Sequence, residues 1–339
     1  MKTSANLSVI AMIAVCAFGP AAFGATPSNP APAPVWPLPP DAPRVAYVQS
    51  FTQPADAGAR QSGFRRLANW LSGATRGNEK FSKPFGVAVD ESGDLCLTDT
   101  AANTVSFYDQ HKKQWNQWTG AGQIRFSSPV SVAKKDKMLF VADSGLGAVI
   151  VFDTDGKLLF KIDHDLERPS GLVIHGGRLW VADSQQHCVV AFDLSGKLIS
   201  KFGKRGVGPG EFNFPTHIAA DDTGCLYVTD SMNHRVQIFD ADGRFQSQIG
   251  GAGDGPGYFS RPKGVAVDTF GHVYVVDALF GNIQIFDRTG QLLLALGGPG
   301  SDAGEFYLPN GIAIGRDNRI FVTDGYNRRV QVFKYVGEK

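Results

Sequence analysis

The chain has 339 residues, 43% of them hydrophobic and 40 of them glycine, with 33 Lys and Arg against 32 Asp and Glu for a formal charge of +1. That apolar content excludes a disordered chain, and so many glycines without a collagen period point to frequent tight turns. The balanced charge speaks against a nucleic-acid binder, which needs a basic excess to displace counterions from phosphates.

The first residues read as an export signal. Lys2 precedes the apolar run LSVIAMIAVCAF at 7–18, and Ala22, Phe23, Gly24 and Ala25 supply a cleavage site, so residues 1–24 are predicted to be a signal peptide. The run is shorter than the roughly 20 apolar residues a spanning helix needs, and no transmembrane span is expected in the mature chain. A lipoprotein would carry its lipid on Cys16, where Val15 is a poor fit to the small residue such a site prefers, and would be attached to the envelope. The expected location is periplasmic or extracellular. Cleavage removes Lys2 and no acid, leaving 32 charges of each sign. It leaves Cys96, Cys188 and Cys225, each in a separate apolar run, which read as buried free thiols rather than a disulfide framework.

Residues 25–43 are proline-rich and are expected to form an extended linker. Residues 44–80 follow as a lone strand, RVAYVQSF at 44–51, and a short amphipathic helix, FRRLANWL at 64–71, with Phe64, Leu67 and Leu71 at helical spacing.

From residue 81 the chain repeats. An aromatic or Leu stands three residues before a proline at Phe81/Pro84, Phe126/Pro129, Leu166/Pro169, Phe212/Pro215, Phe259/Pro262 and Phe306/Pro309, with prolines 40 to 47 residues apart. Each proline leads into a small-residue strand such as FGVAVD or KGVAVD. A second strand ends on an aspartate at Asp99, Asp143, Asp183, Asp230, Asp277 and Asp324, and a third ends near a Phe-Asp pair. Turns such as DTDGK and DADGR then lead to a fourth run in all but the last repeat. No single small sheet of this kind buries both its faces, so the units must stack.

These motifs, P-x-G-V-A-V-D, V-T-D-x-x-N-x-R-V-Q-x-F and G-x-G-P-G-E-F, resemble NHL repeats over residues 81–339. The resemblance implies an all-β, six-bladed β-propeller, each blade a four-stranded meander with its first strand on the central channel. The lead-in WPLPPDAPRVAYVQSF resembles that of exported bacterial six-bladed propellers. The sixth repeat has only three strands, so residues 44–51 are predicted to pair with residues 329–334 and close the ring.

In such a meander the loop into each first strand and the loop after each aspartate share one face, the channel mouth. Candidate ligand-binding residues there are Phe85, Ser131, Ser170, Thr216, His217, Lys263, Phe280, Asn310, Tyr326 and Arg328. Glycine fills the second position after the proline in four repeats, and Ser131 and His217 break that rule. The aspartates read as caps of their own loops, since a residue present in every repeat serves the repeat. The glycine-rich loops resemble phosphate cradles in composition alone, because they lead into strands and not helices.

The favoured function is a binding or scaffold module, without a complete catalytic constellation and without cofactor, that takes a protein, peptide or glycan at its mouth. A monomer is the expected state. The alternative is a metal-dependent lyase or hydrolase centred on His217, with His164, His187 and His234 as further ligands for Zn²⁺ or Ca²⁺. Peptidyl-hydroxyglycine amidating lyases are similar in fold and hold zinc through histidines in strand approaches; here that position carries one histidine, His217.

Overall fold

The computed structural model describes residues 33–58 and 80–337. The expected signal sequence, the first part of the expected linker and the expected helix at 64–71 lie outside these residues.

Six antiparallel sheets form the blades of a propeller. The first four-stranded sheet comprises Pro84–Val89, Leu95–Asp99, Thr104–Asp109 and Gln114–Trp118, and four more of the same order follow. Each first strand is innermost: Pro84–Val89, Pro129–Lys135, Pro169–His175, Pro215–Ala220, Pro262–Val267 and Pro309–Ile314. Second strands are buried on both sides, as in Leu95–Asp99 and Val273–Asp277, because each sheet lies between two others. That is why these runs lack a period of two. Fourth strands face solvent, and Leu198–Phe202 is mostly exposed.

The core consists of six apolar clusters, one at each junction between neighbouring blades. One of them joins blade six to blade one through Val330, Val332 and Phe321 against Leu95 and Leu97. In blades two, four, five and six the aromatic three residues before the proline packs on the phenylalanine of its own third strand, with ring centroids 5.9 Å apart for Phe126/Phe152, 5.5 Å for Phe212/Phe239, 5.7 Å for Phe259/Phe286 and 5.8 Å for Phe306/Phe333, whereas Phe81 packs on Phe51 and Trp115. Each such pair adds about 0.5–1.5 kcal/mol beyond the area it buries. The spacing signal in the sequence is thus a packing requirement.

The ring closes as the sequence predicts. Val45–Phe51 pairs antiparallel with Arg329–Tyr335, with Val45 opposite Tyr335 and Phe51 opposite Val330, and supplies the fourth strand of blade six. Val45 and Phe51 are almost fully buried. The linker expected over 25–43 ends sooner than the composition indicates. Val35–Trp36 adds a fifth strand against Ala46 and Val45, and Trp36 meets Phe333 edge-on at 5.8 Å. An indole with an apolar partner in reach folds back where the surrounding prolines alone would remain extended. The added strand also covers part of an edge that would otherwise invite pairing with another chain. Among the described residues no helix is long and apolar enough to cross a membrane.

Candidate binding site at the channel mouth

The repeated aspartates hold the mouth together. Asp277 accepts backbone N–H bonds from Ser260 and Arg261 in the loop before its blade and from Leu279 and Phe280 in the loop after its strand. Asp99, Asp143 and Asp183 repeat this pattern. Each carboxylate therefore caps its own loop, as expected, and also fastens a second loop to it.

Blades four and six depart from this. Only one lead-in amide, of Asn213 or Tyr307, reaches Asp230 or Asp324. The other carboxylate oxygen accepts Asn233, Arg235 and Gln237 in blade four, and Asn327, Arg329 and Gln331 in blade six. Burial pushes both carboxyls above the usual range, against these hydrogen bonds. The displaced amide turns away, and Phe214 and Leu308 adopt φ of 55° and 50°. The Phe214 N–H then donates to His187 Nδ1 at 3.2 Å.

A β-bulge follows the proline in every first strand, placing one extra residue there. Bulges re-aim side chains, and here they set a ring of Phe85, Val130, Ser170, Thr216, Lys263 and Asn310 at the mouth. Behind it the glycines allow the strands to converge. A Cβ on Gly171 would lie 2.8 Å from His217 Cα, and one on Gly311 would lie 2.5 Å from the Phe85 carbonyl oxygen. Ser131 and Ser170 are engaged between blades: Ser131 Oγ accepts from Leu172 N, and Ser170 Oγ lies 3.0 Å from the carbonyl oxygens of both Ala182 and Pro215. Asn310 is buried and donates to the Leu308 carbonyl.

His217 and Phe85 meet across the axis. Their rings stack with centroids 6.4 Å apart and 20° between planes, over a channel of about 250 Å³ walled largely by Val, Ile and Ala side chains. Both ring nitrogens of His217, and Thr216 Oγ1 beside it, are shut from solvent without a hydrogen-bond partner. Burial, helped by the Lys263 charge, drives the His217 pKa down to about 3. Burial and the Arg261 charge bring Lys263 down to about 8.

The four histidines do not gather. His187 packs its ring on Phe214 at 4.8 Å, His234 Nδ1 lies 2.8 Å from the Ser260 carbonyl, and His164 meets Phe192 edge-on at 5.5 Å. Among the described residues no group of three or more His, Cys, Asp or Glu is placed to hold a metal ion. The expected metal set of His164, His187, His217 and His234 is corrected accordingly: His217 sits on a channel strand and the other three in separate loops. The reason is a repeat rule that the sequence conceals. The fourth residue after each aspartate has positive φ, at Asn103, Gly147, His187, His234, Gly281 and Arg328, so His187 and His234 are equivalent positions on different blades.

Over blades four to six the rim carries exposed apolar side chains. Phe214, Met232, Leu279, Tyr307 and Tyr326 are exposed, the last two with rings 5.3 Å apart and Lys83 Nζ 4.8 Å from the Tyr326 ring. Arg328 is exposed beside them and Phe280 is half-buried. The glycine-rich loops are tied inward: Gln237 accepts from Gly210 N and donates to the Glu211 carbonyl, while the Glu211 carboxylate takes Gly208 N at 3.0 Å. Those amides are engaged by the chain itself, which explains the V-Q-x-F motif. Cys96 and Cys188 are buried free thiols, and Cys225 is half-buried.

Comparison with known proteins agrees with this architecture. A family described as "6-bladed beta-propeller" matches residues 163–224 and 220–278, and the NHL repeat family matches residues 306–333. The chain is a six-bladed β-propeller whose last blade matches the NHL repeat. Among solved structures it is similar to an auxiliary nutrient binding protein from Bacteroides thetaiotaomicron, at TM-score 0.61 and 15% identity over 76% of this chain and 70% of that one. It is similar to virginiamycin B lyase from Staphylococcus aureus, at TM-score 0.56 and 12% identity over 76% and 97%, and to Kuenenia stuttgartiensis hydrazine synthase, at 0.55 and 14% over 78% and 99%. At these identities the likeness is one of fold. No curated protein matches the sequence significantly.

Proposed function

We propose that this propeller is an exported binding module that captures a protein, peptide or glycan on its mouth face. The observation that carries the reading is the rim: Leu279, Tyr307 and Tyr326 are each at least half exposed on a face whose loops are otherwise fastened by buried aspartates. Aromatic and Arg side chains on a rigid base are the composition of binding hot spots, because little conformational entropy is lost on contact. The fold neighbours include a protein named for nutrient binding and a lyase, so fold does not choose between binding and catalysis. The chemistry at the mouth favours binding: among the described residues no carboxylate acts on His217, and the other mouth histidines stand apart from it. Export is supported by the apolar run at 7–18 and the small residues after it.

The test is binding of the mature protein to a peptide library and a glycan array, alongside a Leu279→Ser, Tyr326→Ser, Arg328→Ser variant. The expected result is selective capture of one class by the wild type, weakened tenfold or more in the variant. Capture that the variant leaves unchanged, or no capture from either collection, overturns the reading.

A further inference from the structure

Thr216, His217 and Lys263 form a group whose polar atoms the fold leaves unused. An unpartnered buried donor or acceptor is costly, and native proteins leave few of them. Here Thr216 Oγ1, His217 Nδ1 and His217 Nε2 lie side by side on one strand, closed to solvent and unbonded. The next strand contributes Lys263, at the ring position equivalent to Thr216, and the Lys263 backbone carbonyl is fixed by the Thr229 hydroxyl at 2.7 Å.

The other buried lysine of the channel shows what is missing. Lys134 is paired with Asp90 and with Asp94 at 3.3 Å, and its ammonium is favoured by them. Among the described residues Lys263 has no such carboxylate. The charges that act on it and on its neighbour are of its own sign: Arg261 on Lys263, and Lys263 on His217. A largely buried cation without a counter-ion, on the blade next to that of an unpartnered hydroxyl and imidazole and near enough for its charge to act on the imidazole, supplies with them the donor set of an anion site.

We propose that Thr216, His217 and Lys263 bind the carboxylate group of a ligand whose apolar body lies against Phe85 at the channel mouth. The proposal rests on the reading of the mouth as the binding face and names the chemistry it recognises. One ammonium matches one negative charge, and the hydroxyl and one imidazole N–H complete a carboxylate's acceptor sites. A phosphate dianion would call for further cations or a nest of free amides, and the glycine-rich loops have given theirs to Glu211 and Glu305. The stacked Phe85 and the apolar channel wall favour a carboxylate carried on an aromatic or aliphatic group.

The experiment titrates the mature protein with 3-phenylpropionate, with the uncharged 3-phenylpropionamide and with inorganic phosphate, following the His217 ring resonance assigned through His217→Gln. The carboxylate is expected to shift that resonance saturably and the amide to leave it in place. Lys263→Met is expected to weaken carboxylate binding at least tenfold and Lys263→Arg much less. Thr216→Val, close in shape, serves as a second variant and should weaken it several-fold. Equal shifts by acid and amide, unchanged binding by Lys263→Met with native-like melting, or tighter binding of phosphate than of the acid would each overturn the proposal. Array capture lost in the rim variant but indifferent to Lys263→Met also overturns it, while sparing the binding reading. Lys263-dependent carboxylate binding without array capture supports the subsite and defeats the wider reading.

Discussion

His217 shows how far a single residue can be moved from its ordinary chemistry by position alone. Its imidazole is held neutral because protonation inside the mouth would face a buried, low-dielectric site and the Lys263 charge. The unfolded chain takes up a proton near pH 6.5 that the folded chain refuses until about 3. More protons are therefore bound by the unfolded state throughout that window, and stability is lost as pH falls through it, by at most about 4–5 kcal/mol from this group. Chemical denaturation measured from pH 7 to 3.5 should show a shallower loss for His217→Leu than for the wild type; parallel profiles would mean that His217 is solvated. The exceptional character of His217 was visible in the sequence, since it stands where four siblings carry glycine. Its partner was not. Phe85 belongs to blade one and His217 to blade four, and only ring closure brings them face to face.

At the scale of the element, the repeat unit comes in two forms. Most blades fasten their aspartate with backbone amides alone, whereas blades four and six insert an Asn-x-Arg-x-Gln set and flip the residue before the proline into positive φ. Arg235 gives Nε to Asp230, Nη1 to Gln248 and Nη2 to the carbonyls of Gly208 and Glu211, so one planar side chain joins three segments. Arg235→Lys keeps the charge and loses the fork, and should cost about 2–3 kcal/mol in urea denaturation. A cost below about 0.5 kcal/mol would show that charge alone suffices. The blades, their order and the aspartate caps were legible because each anchor has a local cause: an aromatic pair, a fixed proline, a carboxylate at a turn. The bulges and the positive-φ positions were not, because an extra residue in a strand looks like strand, and His187, His234 and Arg328 carry none of the glycine that usually marks such a backbone. That is why two loop histidines resembled ligands.

For the whole molecule, stability depends on six equivalent junctions, and the last of them exists only when the ends of the propeller meet. Deleting residues 44–52 would bare the edge of Arg329–Tyr335 and remove the buried Val45 and Phe51 from their clusters. Insoluble or protease-sensitive product is expected, and a soluble deletion with cooperative unfolding would show that the strand is dispensable. The same pairing orders events in time. Val45 is among the first residues of the propeller to be synthesised, and its partner Tyr335 is among the last. Every shorter chain leads with an unmatched strand and trails an unfinished blade, so the ring measures its own length. A chain ending at residue 328 should be cut readily within residues 45–51, where a chain carried through to Tyr335 resists. A truncated product would then expose to proteases the segment made before the error occurred.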